Sequence, residues 1–222
     1  MLRMLGAPLM AAMLLVPGCN FDDRTNEGAG AETDTTAARP APPDLLLEVD
    51  IASRQLNVYR GGRVIESHPV AVGSAEWPTP TGEWTVGQVI FNPRWTPPEE
   101  SWAEDEEVAE PGDPDNPLGK AQLVYRAPNS IHGTNEPESL GQAVSHGSIR
   151  VSNDVAIKLA RMVMEAGGTT TTDAEVQQAL ANPTQRLDIS IQNPIPIRVV
   201  AGPVAGVPPV AADTVAGDSA RE

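Results

Sequence analysis

Short apolar runs and alternating stretches dominate the middle of the chain. Leu45-Leu46-Leu47-Glu48-Val49-Asp50 and Gln55-Leu56-Asn57-Val58-Tyr59 read as strands. Arg60-Gly61-Gly62-Arg63 between them and the next run is a turn in which glycine supplies the positive φ of a hairpin. It predicts a returning strand from Val64 to Val72, ended by Gly73. Pro78-Thr79-Pro80-Thr81-Gly82 is a rigid turn ahead of a strand from Glu83 to Ile90. Gln122 to Tyr125, Leu187 to Ile191 and Ile195 to Val200 complete the strand inventory. Helical spacing appears at Val155, Leu159, Met162 and Val163, behind a start at Ser152 or Asn153 with Asp154 in the first turn. Gly167-Gly168 stops that helix. A shorter helix follows Thr172, where Thr172-x-x-Glu175 is a capping box. The pattern predicts a mostly β domain over residues 44–201, an antiparallel β-sandwich or curled sheet with two short helices on one side.

The two ends of the chain lack such periodicity. Met1-Leu2-Arg3, an uncharged run from Met4 to Val16, and Pro17-Gly18 have the layout of a secretory signal peptide over residues 1–18. The run falls short of the ~20 apolar residues a membrane-spanning helix needs. Val16-Pro17-Gly18-Cys19 resembles a bacterial lipobox with the chain's single cysteine at its acceptor position. That resemblance implies lipidation of Cys19, a membrane anchor, and a place in the periplasm or cell envelope. Asn20 resembles the following residue of lipoproteins sorted to an outer membrane. Residues 19–43 read as a disordered linker after Cys19, and residues 202–222 as a disordered tail.

Composition narrows the chemistry. The 222 residues carry 15 Lys and Arg against 30 Asp and Glu, a formal net charge of -15, which excludes a nucleic-acid partner that needs a basic footprint. One cysteine excludes an intrachain disulfide and any multi-cysteine metal centre. Nothing calls for a metal or an organic cofactor. Between Pro97 and Pro117 lies an acidic run, EESWAEDEEVAEPGDPDN, with nine carboxylates and no base. Such a run is by default a solvated loop; its length also suits a lid beside a site.

Two of the three histidines fall in neighbouring motifs, Ile131-His132-Gly133-Thr134 and Ser145-His146-Gly147-Ser148-Ile149-Arg150. A histidine at a strand end followed by glycine can present its imidazole to a site. The second motif can form a tight turn that exposes Ser148 and leads into the helix capped at Ser152 or Asn153. Backbone N–H groups there suit an oxyanion. A hydroxyl, a base and an oxyanion site make an acyl-transfer constellation.

The same stretch resembles the L,D-transpeptidase catalytic domain of the YkuD type, whose signature is HGT, a later glycine, then SHGC, an aliphatic residue and arginine. Here it reads His132-Gly133-Thr134, Gly141 and Ser145-His146-Gly147-Ser148-Ile149-Arg150. Further matches are Pro69-Val70-Ala71-Val72-Gly73, Pro78-Thr79-Pro80-Thr81-Gly82, Asn116-Pro117-Leu118-Gly119 and Asn193-Pro194-Ile195-Pro196-Ile197. The resemblance implies an acyltransferase acting on peptidoglycan stem peptides in wall remodelling. By carry-over His132 is the base, Ser148 holds the nucleophile position and His146 is a second imidazole lining the site. Gly133 and Gly147 belong to the oxyanion or substrate-binding set, with Gly147 and Ser148 supplying backbone donors. Arg150 braces the turn or meets a substrate carboxylate. His68, outside both motifs, reads as structural. Serine replaces the family's cysteine at 148, which leaves three functions open: a serine acyltransferase, a silent wall-binding lipoprotein, and a wall-peptide hydrolase.

Overall fold

The computed structural model describes residues 44–202; the expected signal peptide, Cys19, the expected linker to residue 43 and residues 203–222 of the expected tail lie outside the described residues. Eight strands form one sheet. They are Leu45–Asp50 (β1), Gln55–Arg60 (β2), Arg63–Pro69 (β3), Gly82–Phe91 (β5), Ala121–Arg126 (β6), Asn129–His132 (β7), Ile149–Arg150 (β9) and Leu187–Val200 (β10). Their order is β3-β2-β1-β10-β5-β6-β7-β9. Val72–Gly73 (β4) and Ala143–Ser145 (β8) pair separately. Two helices, Asn153–Gly167 (α1) and Asp173–Ala181 (α2), complete the domain.

The expected class, mostly β with two helices, is the observed one. The sheet is mixed: β1 runs parallel to β10 and β7 parallel to β9, while the other neighbours are antiparallel. The strand expected from Val64 to Val72 ends at Pro69. The residues after it leave the β2 ladder to serve the far end of the sheet, where Ala71 exchanges two backbone hydrogen bonds with Arg150. The two strands expected at 187–191 and 195–200 are one, β10, with an irregular register against β5 between Ser190 and Ile195.

One face of the sheet is apolar because alternate residues point to the same side. Leu47, Val49, Leu56, Val58, Phe91, Leu123, Ile131 and Ile149 are fully buried there. Helix α1 lies against this core. Leu159 and Val163 of its apolar stripe are fully buried, Val155 and Met162 pack at the margin, and Ala156 and Ala160 fill the line between. Ser152 caps α1 by accepting from the Val155 N–H, and Gly168 ends it at φ 73°. The Thr172–Glu175 capping box starts α2 in both of its hydrogen bonds.

Candidate active site

Strand β7 sits between β6 and β9, and the pleat decides which side chains meet. Ile131 pairs with Ile149 and Leu123, and all three turn into the core. Their neighbours Ser130, His132, Ser148 and Arg150 must therefore turn to the opposite face. Gln122 of β6, opposite His132, joins them and donates to the Ser130 hydroxyl at 3.1 Å. This face floors a cleft of about 720 Å³.

His132 is buried, 4 % exposed, at the cleft floor. Its Nδ1 lies 2.7 Å from the carbonyl oxygen of Gly133. A carbonyl only accepts, so Nδ1 carries the hydrogen and the neutral ring keeps its lone pair on Nε2. Burial pushes the imidazole down to about 4, and the Arg150 guanidinium adds to this against the pull of the Gly133 and Pro117 carbonyls. At neutral pH the ring is an uncharged proton acceptor.

Ser148 follows a turn held by its own first residue. The Ser145 hydroxyl donates to the Ser148 carbonyl at 2.5 Å, and the Ser145 carbonyl accepts from Ser74 N–H at 2.9 Å. Gly147 reaches φ 96°, and a Cβ there would stand 2.9 Å from Asn129 Nδ2, so the turn needs glycine. The Ser148 hydroxyl, half-buried, accepts from the Ser130 backbone N–H at 3.2 Å. The N–H groups of Gly147 and Ser148 take part in none of the bonds that fasten the turn. No hydrogen bond joins His132 to Ser148 among the described residues, although both line the cleft.

A second set of residues, not singled out as site residues from sequence, holds this floor in place. Asn153, the first residue of α1, accepts from Lys120 N–H at 2.8 Å and donates to the Thr134 carbonyl at 2.9 Å. Gly133 has no side chain because a Cβ would fall 2.2 Å from Asn153 Oδ1. Asn116, 3 % exposed, donates to the Pro93 carbonyl at 2.7 Å and accepts from Leu118 N–H at 3.0 Å. The segment 116–120 is thus pinned beside the floor, and Pro117 lines the same cleft as His132.

A model of the L,D-transpeptidase catalytic domain, YkuD, matches residues 44–185. The chain belongs to the L,D-transpeptidase family. It is 33 % identical over 126 residues to YqjB of Bacillus subtilis (strain 168), covering 54 % of this chain and 66 % of that one. It is 30 % identical over 165 residues to YbiS of Escherichia coli (strain K12), covering 69 % and 53 %. Both relatives carry L,D-transpeptidase names, and the chain spans less than two thirds of their length. An L,D-transpeptidase structure from Mycobacterium smegmatis overlays with a TM-score of 0.49 at 19 % identity, over 72 % of this chain and 59 % of that one.

Within this L,D-transpeptidase domain the remaining candidates separate. Arg150 lines the cleft and donates to Glu136, in the segment after β7, at 2.5 Å. His146 stands exposed at the cleft mouth. Its ring lies 3.8 Å from that of Trp102 at an interplanar angle of 3°, and Trp77 meets it edge-on at 6.0 Å. Partial burial lowers its pKa, helped by Arg150 and opposed by Glu100, Glu76 and Glu106. The acidic run is a wall of the site: Glu100, Glu106, Glu107, Asp113 and Asp115 line the cleft. Trp102, a lone ring within that run, was legible only as an aromatic among carboxylates. His68 lies on β3, with Nε2 2.8 Å from Glu66, which also binds Lys158 of α1 at 2.6 Å. Among the described residues, no group of three or more His, Cys, Asp or Glu is placed to hold a metal ion.

Proposed function

We propose that this L,D-transpeptidase domain is an acyltransferase for peptidoglycan stem peptides, with Ser148 as nucleophile and His132 as base. The observation that carries the reading is the placement of both on one face of adjoining strands, with the His132 hydrogen fixed on Nδ1. A serine hydroxyl supplies practically no alkoxide at neutral pH, so it needs a neutral acceptor as it attacks. An imidazole with a pKa of about 4 is that acceptor. In the first half-reaction Oγ bonds to a stem amide carbonyl carbon and its proton passes to Nε2. The amide C–N bond then breaks as the leaving amine takes that proton. In the second, an acceptor amine attacks the ester, His132 takes its proton, and Oγ leaves with the proton restored. The turn N–H groups of Gly147 and Ser148 supply the oxyanion donors.

Placement in the cell envelope, through a lipid on Cys19, is part of the same proposal and is supported by the lipobox resemblance at Val16 to Cys19. The experiment is intact-protein mass after incubation with purified tetrapeptide muropeptides. Native protein should gain an ester adduct mapped to Ser148, and His132→Ala should gain none. Ser148→Cys should react ~10-fold or more faster, because a thiol near pKa ~8.5 supplies thiolate without a proton transfer during attack. A faster native serine would mark a site tuned for oxygen. The missing His132–Ser148 hydrogen bond favours one second reading, a binding module, and lack of any adduct on both native and cysteine proteins would establish it over the first.

A further inference from the structure

The fate of an acyl-Ser148 ester depends on what reaches it next. Water gives a hydrolase and an amine gives a transferase, so exclusion of water selects the reaction. Among the contacts that fasten the acidic segment walling the cleft, two bear on the catalytic turn. At its base, Trp95 and Ala109 exchange two backbone hydrogen bonds of 2.9 and 3.1 Å. At its outer end, Ser101–Ala103 forms a short helical turn with Ala103 buried, and Trp102 extends from it onto the catalytic turn. The Trp102 indole is itself oriented, donating from Nε1 to Glu100 at 3.0 Å. Its face covers His146 in a parallel stack at 3.8 Å, while the edge-on Trp77 ring contacts the same imidazole. His146 is separated from Ser148 by Gly147 alone. The latch therefore fastens the wall directly to the turn that carries the nucleophile.

We propose that Trp102 is a positioning residue that, by stacking on His146, holds the acidic wall closed over Ser148 and keeps water from the acyl ester. The inference rests on Ser148 acting as nucleophile and adds the device that makes the domain a transferase. The ester carbonyl carbon exchanges its bond to Oγ for one to nitrogen or to water oxygen, and His132 carries the proton either way. Trp102 touches no reacting atom. It sets only the water-to-amine ratio.

The test uses the full chain. Acetyl-Ser148 is formed with p-nitrophenyl acetate, which needs no stem recognition. It is freed of excess reagent, mapped by mass, and challenged with glycinamide. The yield of acetylglycinamide against acetate is the readout. Trp102→Ala should lower that ratio ~3–10-fold, the range an aromatic pair contributes to a closed state, and because the ratio is read after acetyl-Ser148 has formed it is independent of how fast each protein is acetylated. Trp102→Phe, which retains a stacking face, should restore most of it. In parallel, NMR of the His146 ring protons should show an upfield ring-current shift in native protein, a smaller one in Trp102→Phe, and in Trp102→Ala only the contribution of the edge-on Trp77 ring. A native His146 without that shift overturns the latch. So does an unchanged product ratio in a Trp102→Ala protein that has lost the Trp102 part of the shift, since Trp102 would then be a brace. Failure of every protein to form acetyl-Ser148 defeats the nucleophile itself and this inference with it, an outcome distinct from acetylation with an unaltered ratio.

Discussion

His132 has its Nδ1–H committed to the Gly133 carbonyl and its ring removed from water, so protonation of Nε2 costs folded structure as well as activity. The folded imidazole titrates at about 4, below its ordinary 6.5. A depressed histidine pKa means the unfolded chain binds the proton first as pH falls. Stability from this group is therefore full above 6.5 and declines as pH drops toward 4. The difference between those values is worth ~3 kcal/mol. Urea unfolding at pH 7 and pH 4 should show native protein losing ~2–3 kcal/mol more than His132→Gln. Glu66, whose carboxyl is held low by Lys158 and His68 against the cost of its burial, contributes to the acid loss in both proteins and cancels in the comparison. The same number fixes the acid limb of the acyl-transfer profile. Activity should rise with pH near 4 rather than near 6.5, and a limb at the ordinary histidine value would show that the imidazole is hydrated. The His-Gly-Thr motif identified this histidine. The protonation state arose only from its burial beneath neighbouring strands.

Elements place the reacting groups through bonds that cross long stretches of chain. Asn153 stands at the first turn of α1 and ties the segment before β6 to the exit of β7, taking the Lys120 N–H and supplying the Thr134 carbonyl. Replacing it by alanine passes the exposed Lys120 N–H to water and leaves the half-buried Thr134 carbonyl without its donor, at ~1 kcal/mol or somewhat more. Asn153→Ala should lower the urea midpoint accordingly and slow acylation of Ser148, because Gly133 carries the carbonyl that orients His132. Asn153→Asp keeps the Lys120 acceptor and should fall between the two. An alanine variant as stable and as fast as native would remove the clamp from the argument. Sequence spacing exposed Asn153 only as one of two capping candidates, and the structure gives the cap to Ser152. Strands β1, β2 and β5 were legible because runs of six to ten residues leave room for alternation or an apolar stretch. β8 and β9 are three and two residues long. β8 exists through β4, far away in sequence, and β9 through β7 with a further bridge to Ala71, so no local pattern announces them. The parallel pairing of β1 with β10 likewise joins the two ends of the domain.

At the scale of the whole molecule, the domain and its proposed address are separable. The 44–202 fold closes its own core and includes both histidine motifs. Cys19 stands outside the described residues, ahead of a polar stretch of sequence, residues 20–43, with the proline-rich close Arg39-Pro40-Ala41-Pro42-Pro43. If Cys19 carries a lipid, that segment sets how far the cleft stands from the bilayer. Its extended length is at most ~80 Å at ~3.3–3.6 Å per residue. A single acyl chain holds a protein only marginally, and firm anchoring takes a second signal. The net charge of -15 would oppose an anionic lipid surface rather than supply that signal. A multiply acylated Cys19 would therefore have to provide the whole attachment. Cys19→Ser should release the protein from membranes completely, with no residual peripheral binding that salt can strip. Acyl transfer measured on small soluble stems should stay within ~2-fold of native, since the cleft is assembled from residues 71–153. Transfer to intact sacculi should fall, because the bound form works at a high effective concentration beside the wall. Detergent-phase partitioning of the serine variant equal to native would defeat the tether and leave the chemistry of the domain untouched.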